Sequence, residues 1–271
     1  MLPSAVIAPP KKDNRVQFPN VLNQLDESAC GGFMGTALFL AELIRRKSMN
    51  PFQPAPQFTY RAARRRMGKA YLNVDSGVDN RSLARSMKSV GVVSEALWPY
   101  SKPLTEEPPK EVYTEALRHQ LEEYQWIRPN VAYMRQCLAQ GYCFGGGIPI
   151  FESFEYDSCL MTGDVPIPGR NEELLGYHDI PFHSYDDTRR NGDFVFRNSW
   201  GADVGDRGDF YLPYDYIENV VERALMNFVR FRMVEDAPPL NHSLKPGLTV
   251  GMAAPYPEDV PNHIPPSGGY R

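Results

Sequence analysis

A chain of 271 residues is long enough for one large domain or for two lobes around an ample core, and its 33 acidic and 29 basic side chains leave a net charge of only −4. Without a basic surplus, neither nucleic acid nor an anionic membrane is expected as the main partner. No stretch approaches the roughly 18–20 apolar residues that cross a bilayer, Met1 to Asn14 has no basic segment followed by an apolar core, and four cysteines without a Cys-x-x-Cys pair and five histidines argue against zinc, so no cofactor is implied.

In chain order, residues 1–20 contain prolines and no periodicity and read as an arm. The clearest helix runs from Cys30 to Arg46: Phe33, Ala37, Leu40, Ala41 and Ile44 recur at helical spacing, and Arg45, Arg46 and Lys47 load its C-terminal end as the helix dipole favours. Three prolines make 51–57 a linker to a helix over 58–67. The basic run Arg61, Arg64-Arg65-Arg66 and Lys69 reads as its solvated face. A third helix is expected over 82–89 after the turn Asp75-Ser76-Gly77, a polar one over about 110–120, and another over 131–140.

Strands follow at 143–151, 179–185, 193–198 and 209–212, short, aromatic or β-branched, and separated by turn residues. Helices first and strands later predict an α+β fold of two lobes with a cleft between them. The expected boundaries are an arm at 1–20, a main domain at 21–234 with a helical lobe to about 130 and a β-rich lobe beyond it, and a tail at 235–271. Pro238-Pro239, Pro246, Pro255, Pro257, Pro261 and Pro265-Pro266 give that tail no apolar pattern for a core of its own.

Four residues have complementary chemistry. Cys30, opening a helix, has the dipole's positive end to favour a thiolate. His178 can take the thiol's proton, Asn198 can orient the imidazole, and Gln24 can direct an amide at an oxyanion. Cys137, Cys143 and Cys159 read as buried thiols and His183 as structural. Arg207-Gly208-Asp209, the adhesion tripeptide, reads as a turn between strands.

The order Gln24, Cys30, His178, Asn198 resembles the papain-like cysteine peptidases. Gln24 precedes Cys30 by six positions, as in that family, and His178 follows Cys30 at the expected distance of about 130–150 residues. The segment Asn23-Gln24 to Ser28-Ala29-Cys30, the run Gly91-Val92-Val93-Ser94-Glu95 with Trp98-Pro99-Tyr100, and Asn198-Ser199-Trp200-Gly201 with Gly208 and Tyr211-Leu212-Pro213-Tyr214 all look like family elements, over about residues 20–233. The resemblance implies a papain-like fold with a helical N-terminal lobe and an antiparallel β C-terminal lobe. It also implies that Trp200 shields the Asn198 bond, that Ser76 and Gly77 pair with substrate backbone, and that Tyr177 borders the leaving-group side. The pocket for the second residue before the scissile bond would draw on Gly145-Gly146-Gly147.

The departures are specific. Gly31 stands where the family has tryptophan, next to Gly32, and two glycines in a first helical turn cost roughly 1 kcal/mol each. Asp179 replaces a small apolar residue after the histidine and either favours imidazolium or draws the ring away from Cys30. Pro181 interrupts the strand, Val204 replaces a second tryptophan, and Glu27 replaces a half-cystine of secreted members, which points to a reducing, cytoplasmic compartment or an intracellularly assembled particle. Only about 20 residues precede Gln24, so no long propeptide is expected.

The reading is a cysteine peptidase acting on peptide or protein substrates through an acyl-enzyme. Two alternatives stand beside it: a papain-fold subunit of an assembly such as a virus particle, whose partners grip the N-terminal arm and proline-rich tail, and an amidase or transpeptidase of the same fold.

Overall fold

The structure, a computed structural model, describes residues 8–221 and 227–233. The predicted tail at 235–271 lies outside the described residues. The fold is α+β and two-lobed, with helices leading and one antiparallel sheet closing the chain.

Helix α1 (Cys30–Arg45) is the central strut, and most of it is buried. It packs on α2 (Pro56–Met67) and α3 (Asn80–Ser89) on one side and on the sheet on the other. Its glycines are contact points. A Cβ on Gly32 would sit 2.8 Å from the Pro56 carbonyl oxygen and 2.9 Å from Tyr60 Cβ, and one on Gly35 would lie 3.1 Å from Met87 Sδ. Gly32 thus lets α2 approach α1 while Gly31 leaves room for Val78 and Asp179, so close packing offsets the propensity cost of the pair. Asp79 caps α3, its carboxylate accepting the Ser82 N–H at 2.7 Å.

Helix α4 (Lys110–Ala116) is shorter than expected: residues 117–120 form a turn that leads into β2 (Leu121–Ile127). After α5 (Val131–Ala139), β3 (Phe144–Phe151) and the short α6 (Asp157–Thr162) come β4 (Leu174–Asp186), β5 (Asp193–Arg197), β6 (Asp209–Pro213), the single turn α7 (Tyr214–Tyr216) and β7 (Phe228–Met233). The sheet order is β2-β7-β3-β4-β5-β6, and β1 (Lys11–Lys12) pairs with the end of β4. Phe144, Phe182, Phe194, Phe196, Phe210 and Phe228 fill its core. A second core joins α1 and α3 to the sheet through Phe18, Met34, Phe39, Met87, Leu121, Val229 and Phe231.

Pro181 does not stop β4. Pairing with β5 starts only at Phe182, so the proline lies where that edge of β4 has no strand beside it.

The described part of the arm is held by its own domain. Tyr185 Oη donates to the Pro9 carbonyl at 2.7 Å, Lys11 Nζ pairs with Asp186 at 2.6 Å, and Arg15 Nε reaches Asp209 at 2.7 Å. Asp209 also binds Arg197 Nε at 2.6 Å and meets His183 at 3.2 Å, a buried network that ties the arm to the domain. That employs the carboxylate of the Arg207-Gly208-Asp209 turn in the interior.

Only part of the basic run is a solvated face: Arg65, Arg66 and Lys69 are exposed. Arg61 and Arg64 are buried: Arg61 donates to the Leu104 carbonyl and pairs with Glu107 at 2.7 Å, and Arg64 donates to the carbonyls of Tyr71 and Gly77. Backbone carbonyls brought in by loops give these guanidinium groups the partners that burial demands.

Candidate active site

Cys30 is the first residue of α1 and is 4% exposed, and His178 lies on β4, which packs against α1. His178 Nε2 is 2.8 Å from Asn198 Oδ1, and the same oxygen accepts the Ser199 backbone N–H at 2.8 Å. Two donors converging on one oxygen fix the Asn198 amide and place the imidazole proton on Nε2, so Nδ1 is the basic nitrogen. The Trp200 ring stacks on the His178 ring, with centroids 5.0 Å apart and planes at 30°. Burial pushes His178 down to about 4, against the Asn198 bond, which favours the charged ring. The ring is therefore a neutral base at ordinary pH.

Gln24 reaches the site because its loop is zipped onto the segment after Asn198. The Gln24 N–H donates to the Ser199 carbonyl at 2.8 Å and the Gly201 N–H to the Leu22 carbonyl at 3.0 Å. Ser199 Oγ donates to Gln24 Oε1 at 2.6 Å, and Gln24 Nε2 donates to the Glu27 carbonyl at 2.8 Å. The amide is thus oriented, and its second N–H hydrogen remains for another acceptor. Tyr100 Oη donates to the Gln24 carbonyl at 2.7 Å, giving the Trp-Pro-Tyr element a task beside the site.

The opposite wall is built round Tyr60 and Arg64. Tyr60 Oη donates to Asp75 at 2.6 Å and accepts from the Gly77 N–H and Arg64 Nη1, both at 3.0 Å. Asp75 in turn accepts the Ser28 N–H, two residues before Cys30. Gly77 therefore spends its N–H and carbonyl on Tyr60 and Arg64, and Ser76 Oγ also lies 3.3 Å from Arg64. Ser76 and Gly77 were expected to pair with substrate backbone; in the structure the Gly77 N–H is held by the buried phenol of Tyr60. Tyr177 is half-buried beside His178, in register with Pro149 of β3.

Asp179 neither binds His178 nor draws it aside. Its Oδ1 accepts from Asn80 Nδ2 at 3.0 Å, and its Oδ2 lies 3.0 Å from the place a Cβ on Gly31 would take. The absent tryptophan and the new carboxylate are one change, since Asp179 and Val78 occupy the space over Gly31. Burial, reinforced by Asp79, raises Asp179 to about 7. Cys137 and Cys159 are buried, and burial pushes their thiols up to about 11 and 12, so neither is an alternative nucleophile. Among the described residues no group of three His, Cys, Asp or Glu could hold a metal, and no helix is long and apolar enough to cross a membrane.

Sequence reasoning missed Ser199, Tyr60, Arg64 and Asp75. Ser199 was visible inside the Asn-Ser-Trp run. The other three carried no signal, because their partners, side chains of one another as well as backbone groups, are brought together only by the fold.

This arrangement resembles that of the papain-like cysteine peptidases, and the comparisons point the same way. No protein-family model matches the chain. An uncharacterized peptidase C1-like protein of Acanthamoeba polyphaga mimivirus is 27% identical over 215 residues, 74% of this chain and 68% of that one. Xylellain, a cysteine protease from Xylella fastidiosa, superposes with a TM-score of 0.75 at 28% identity over 84% of this chain and 87% of its own. Digestive procathepsin L 3 of Tenebrio molitor larval midgut, with a TM-score of 0.63 and 15% identity over 85% of this chain and 72% of its own, shares the fold. The chain is thus similar to papain-like cysteine proteases and shares their fold.

Proposed function

We propose that the protein is a cysteine peptidase that hydrolyses peptide bonds through a thioester on Cys30. The observation that carries this reading is the double claim on Asn198 Oδ1 by His178 Nε2 and the Ser199 N–H, which leaves Nδ1 as the base. Cys30 Sγ gives its proton to Nδ1 and attacks the carbonyl carbon. A C–S bond forms while the carbonyl π pair moves onto oxygen. The oxyanion is met by the second hydrogen of Gln24 Nε2 and the Cys30 backbone N–H at the positive end of α1.

Collapse of the intermediate breaks the C–N bond, and the leaving amine takes the proton from Nδ1. Water then attacks the thioester with Nδ1 as its base, the C–S bond breaks, and the acid product leaves. Trp200 on the imidazole limits water around the His178–Asn198 bond, which strengthens it. The segment of Ser76 and Gly77 borders the substrate on its acyl side, and Tyr177 borders the departing amine.

Labelling with a peptidyl epoxide tests the reading. Modification confined to Cys30, lost in His178→Ala, is the expected outcome. Folded protein that resists the reagent while a reference enzyme labels fully would overturn it.

A further inference from the structure

Arg197 is buried at the end of β5, one residue before Asn198. Its Nε donates to Asp209 Oδ1 at 2.6 Å, and the two residues are partners across the β5–β6 ladder. That pairing aims the guanidinium at the chain before Gln24: Nη1 donates to the Asn20 carbonyl at 2.9 Å and to the Phe18 carbonyl at 3.1 Å. Asp209 also has Arg15 Nε at 2.7 Å, so its charge is met without Arg197. The planar fork of Arg197 therefore has a second use, to grip the backbone of another segment.

The gripped segment leads straight to Gln24 and runs beside residues 197–201. The Gly201 N–H donates to the Leu22 carbonyl at 3.0 Å, Asn23 and Trp200 form an isolated antiparallel bridge, and the Gln24 N–H donates to the Ser199 carbonyl at 2.8 Å. One side of this ribbon carries the oxyanion donor, and the other carries Asn198. So short a ribbon does not hold its register by itself. Ser199 Oγ orients the Gln24 amide, whereas Arg197, holding the carbonyls of Phe18 and Asn20, sets where Gln24 stands along the Asn198 segment. Asn198 has ties of its own: its N–H donates to the Gly208 carbonyl at 2.8 Å, and its Oδ1 accepts the Ser199 N–H.

We infer that Arg197 is a positioning residue that fixes the register of Gln24, and with it the oxyanion donor, against Cys30, His178 and Asn198. It touches no substrate and acts through Gln24. This rests on the peptidase reading.

The test is a double-mutant cycle in kcat on a fluorogenic peptidyl-coumarin amide, using Arg197→Ala, Gln24→Ala and the double variant. Beside it, Cys30 is alkylated with iodoacetamide, a reaction that forms no oxyanion. Arg197→Ala should lower kcat by about ten- to a hundredfold with KM nearly constant, the scale of a misplaced catalytic group. In the Gln24→Ala background the same change should cost little further, because the donor it positions is gone. Alkylation of Cys30 in Arg197→Ala should keep the wild-type pH profile. A merely structural loss acts equally in both backgrounds, so single losses that multiply in the double variant overturn the inference. An unchanged kcat in Arg197→Ala overturns it too, as does an alkylation profile that moves to that of an ordinary thiol. Should Arg197→Ala fold poorly, Arg197→Lys keeps a cation beside Asp209 but loses the fork, and the same cycle is read with it. If wild-type Cys30 labels with the epoxide and the peptide is cleaved while the losses multiply, this inference alone fails. If wild-type Cys30 does not label and the peptide is not cleaved, the peptidase reading fails and this one with it.

Discussion

The Asp75 carboxylate grips the Ser28 backbone N–H with both oxygens, at 2.9 and 3.1 Å, and so ties the loop before the nucleophile to the loop that forms the opposite wall. Tyr60 Oη completes the tie by donating to Asp75 while accepting from Gly77 and Arg64. Glu27 stands next to this clamp where secreted family members have a half-cystine, so a charge-assisted hydrogen bond links segments here without a covalent bridge. Removing it should let the start of α1 drift relative to the cleft wall. Asp75→Ala is expected to lower stability by about 1–3 kcal/mol in urea unfolding, the cost of leaving Tyr60 and the Ser28 N–H unsatisfied. It should also lower kcat more than it raises KM.

Ser199 positions Gln24 and touches no substrate in this account. Ser199→Ala frees Gln24 Oε1, and the amide samples orientations that do not serve the oxyanion. A loss in kcat of up to about tenfold is expected, smaller than the roughly 10²–10³ for removing the donor itself in Gln24→Ala. Steady-state kinetics of the two variants should keep that rank, with KM nearly constant in both.

Gly32→Ala puts a methyl 2.8 Å from the Pro56 carbonyl oxygen and 2.9 Å from Tyr60 Cβ. Helix propensity alone would make this change stabilising by about 1 kcal/mol. The backbone contact cannot yield without moving α2, so a net loss of about 1–3 kcal/mol is expected in denaturant unfolding.

The acid–base behaviour of the site leaves a signature in stability against pH. His178, lowered to about 4 in the fold, contributes stability that is present above its unfolded value near 6.5 and is lost as pH falls through about 4. Asp179, raised to about 7, works in the opposite sense: its contribution is present below the unfolded value of 3.8 and is lost as pH rises through about 7. The two slopes oppose one another in the shared window. Asp179→Asn removes the falling component, so its Tm relative to wild type should rise between pH 5 and pH 8, by a few degrees. Thermal melts across that range check the sign.

The parts of the fold most legible in the sequence were those with a local pattern. The helix from Cys30, α5 and the strands β3, β5 and β6 carry their own periodicity or their own turn residues, and they lie within a residue or two of expectation. Strands β2 and β7 were not legible. They pair with each other across about a hundred residues, and Leu121-Glu122-Glu123-Tyr124 shows no clean alternation because that edge is only partly covered. Arg61 and Arg64 misled for a related reason: a basic run looks solvated until loops bring carbonyls to it. The identities of Gln24, Cys30, His178 and Asn198 were visible from residue type and order, whereas the bonds that orient them, Ser199 to Gln24 and Asp75 to Ser28, exist only in three dimensions.

The central claim is that Cys30 passes its proton to Nδ1 of a His178 held by Asn198. The most direct measurement is the rate of Cys30 alkylation by iodoacetamide as a function of pH in wild type, His178→Ala and Asn198→Ala. The account predicts rapid alkylation in wild type well below an ordinary thiol's pKa of about 8.5, a return to that ordinary profile in His178→Ala, and an intermediate profile in Asn198→Ala. Three superimposable profiles, each rising only near the ordinary thiol pKa, would contradict it.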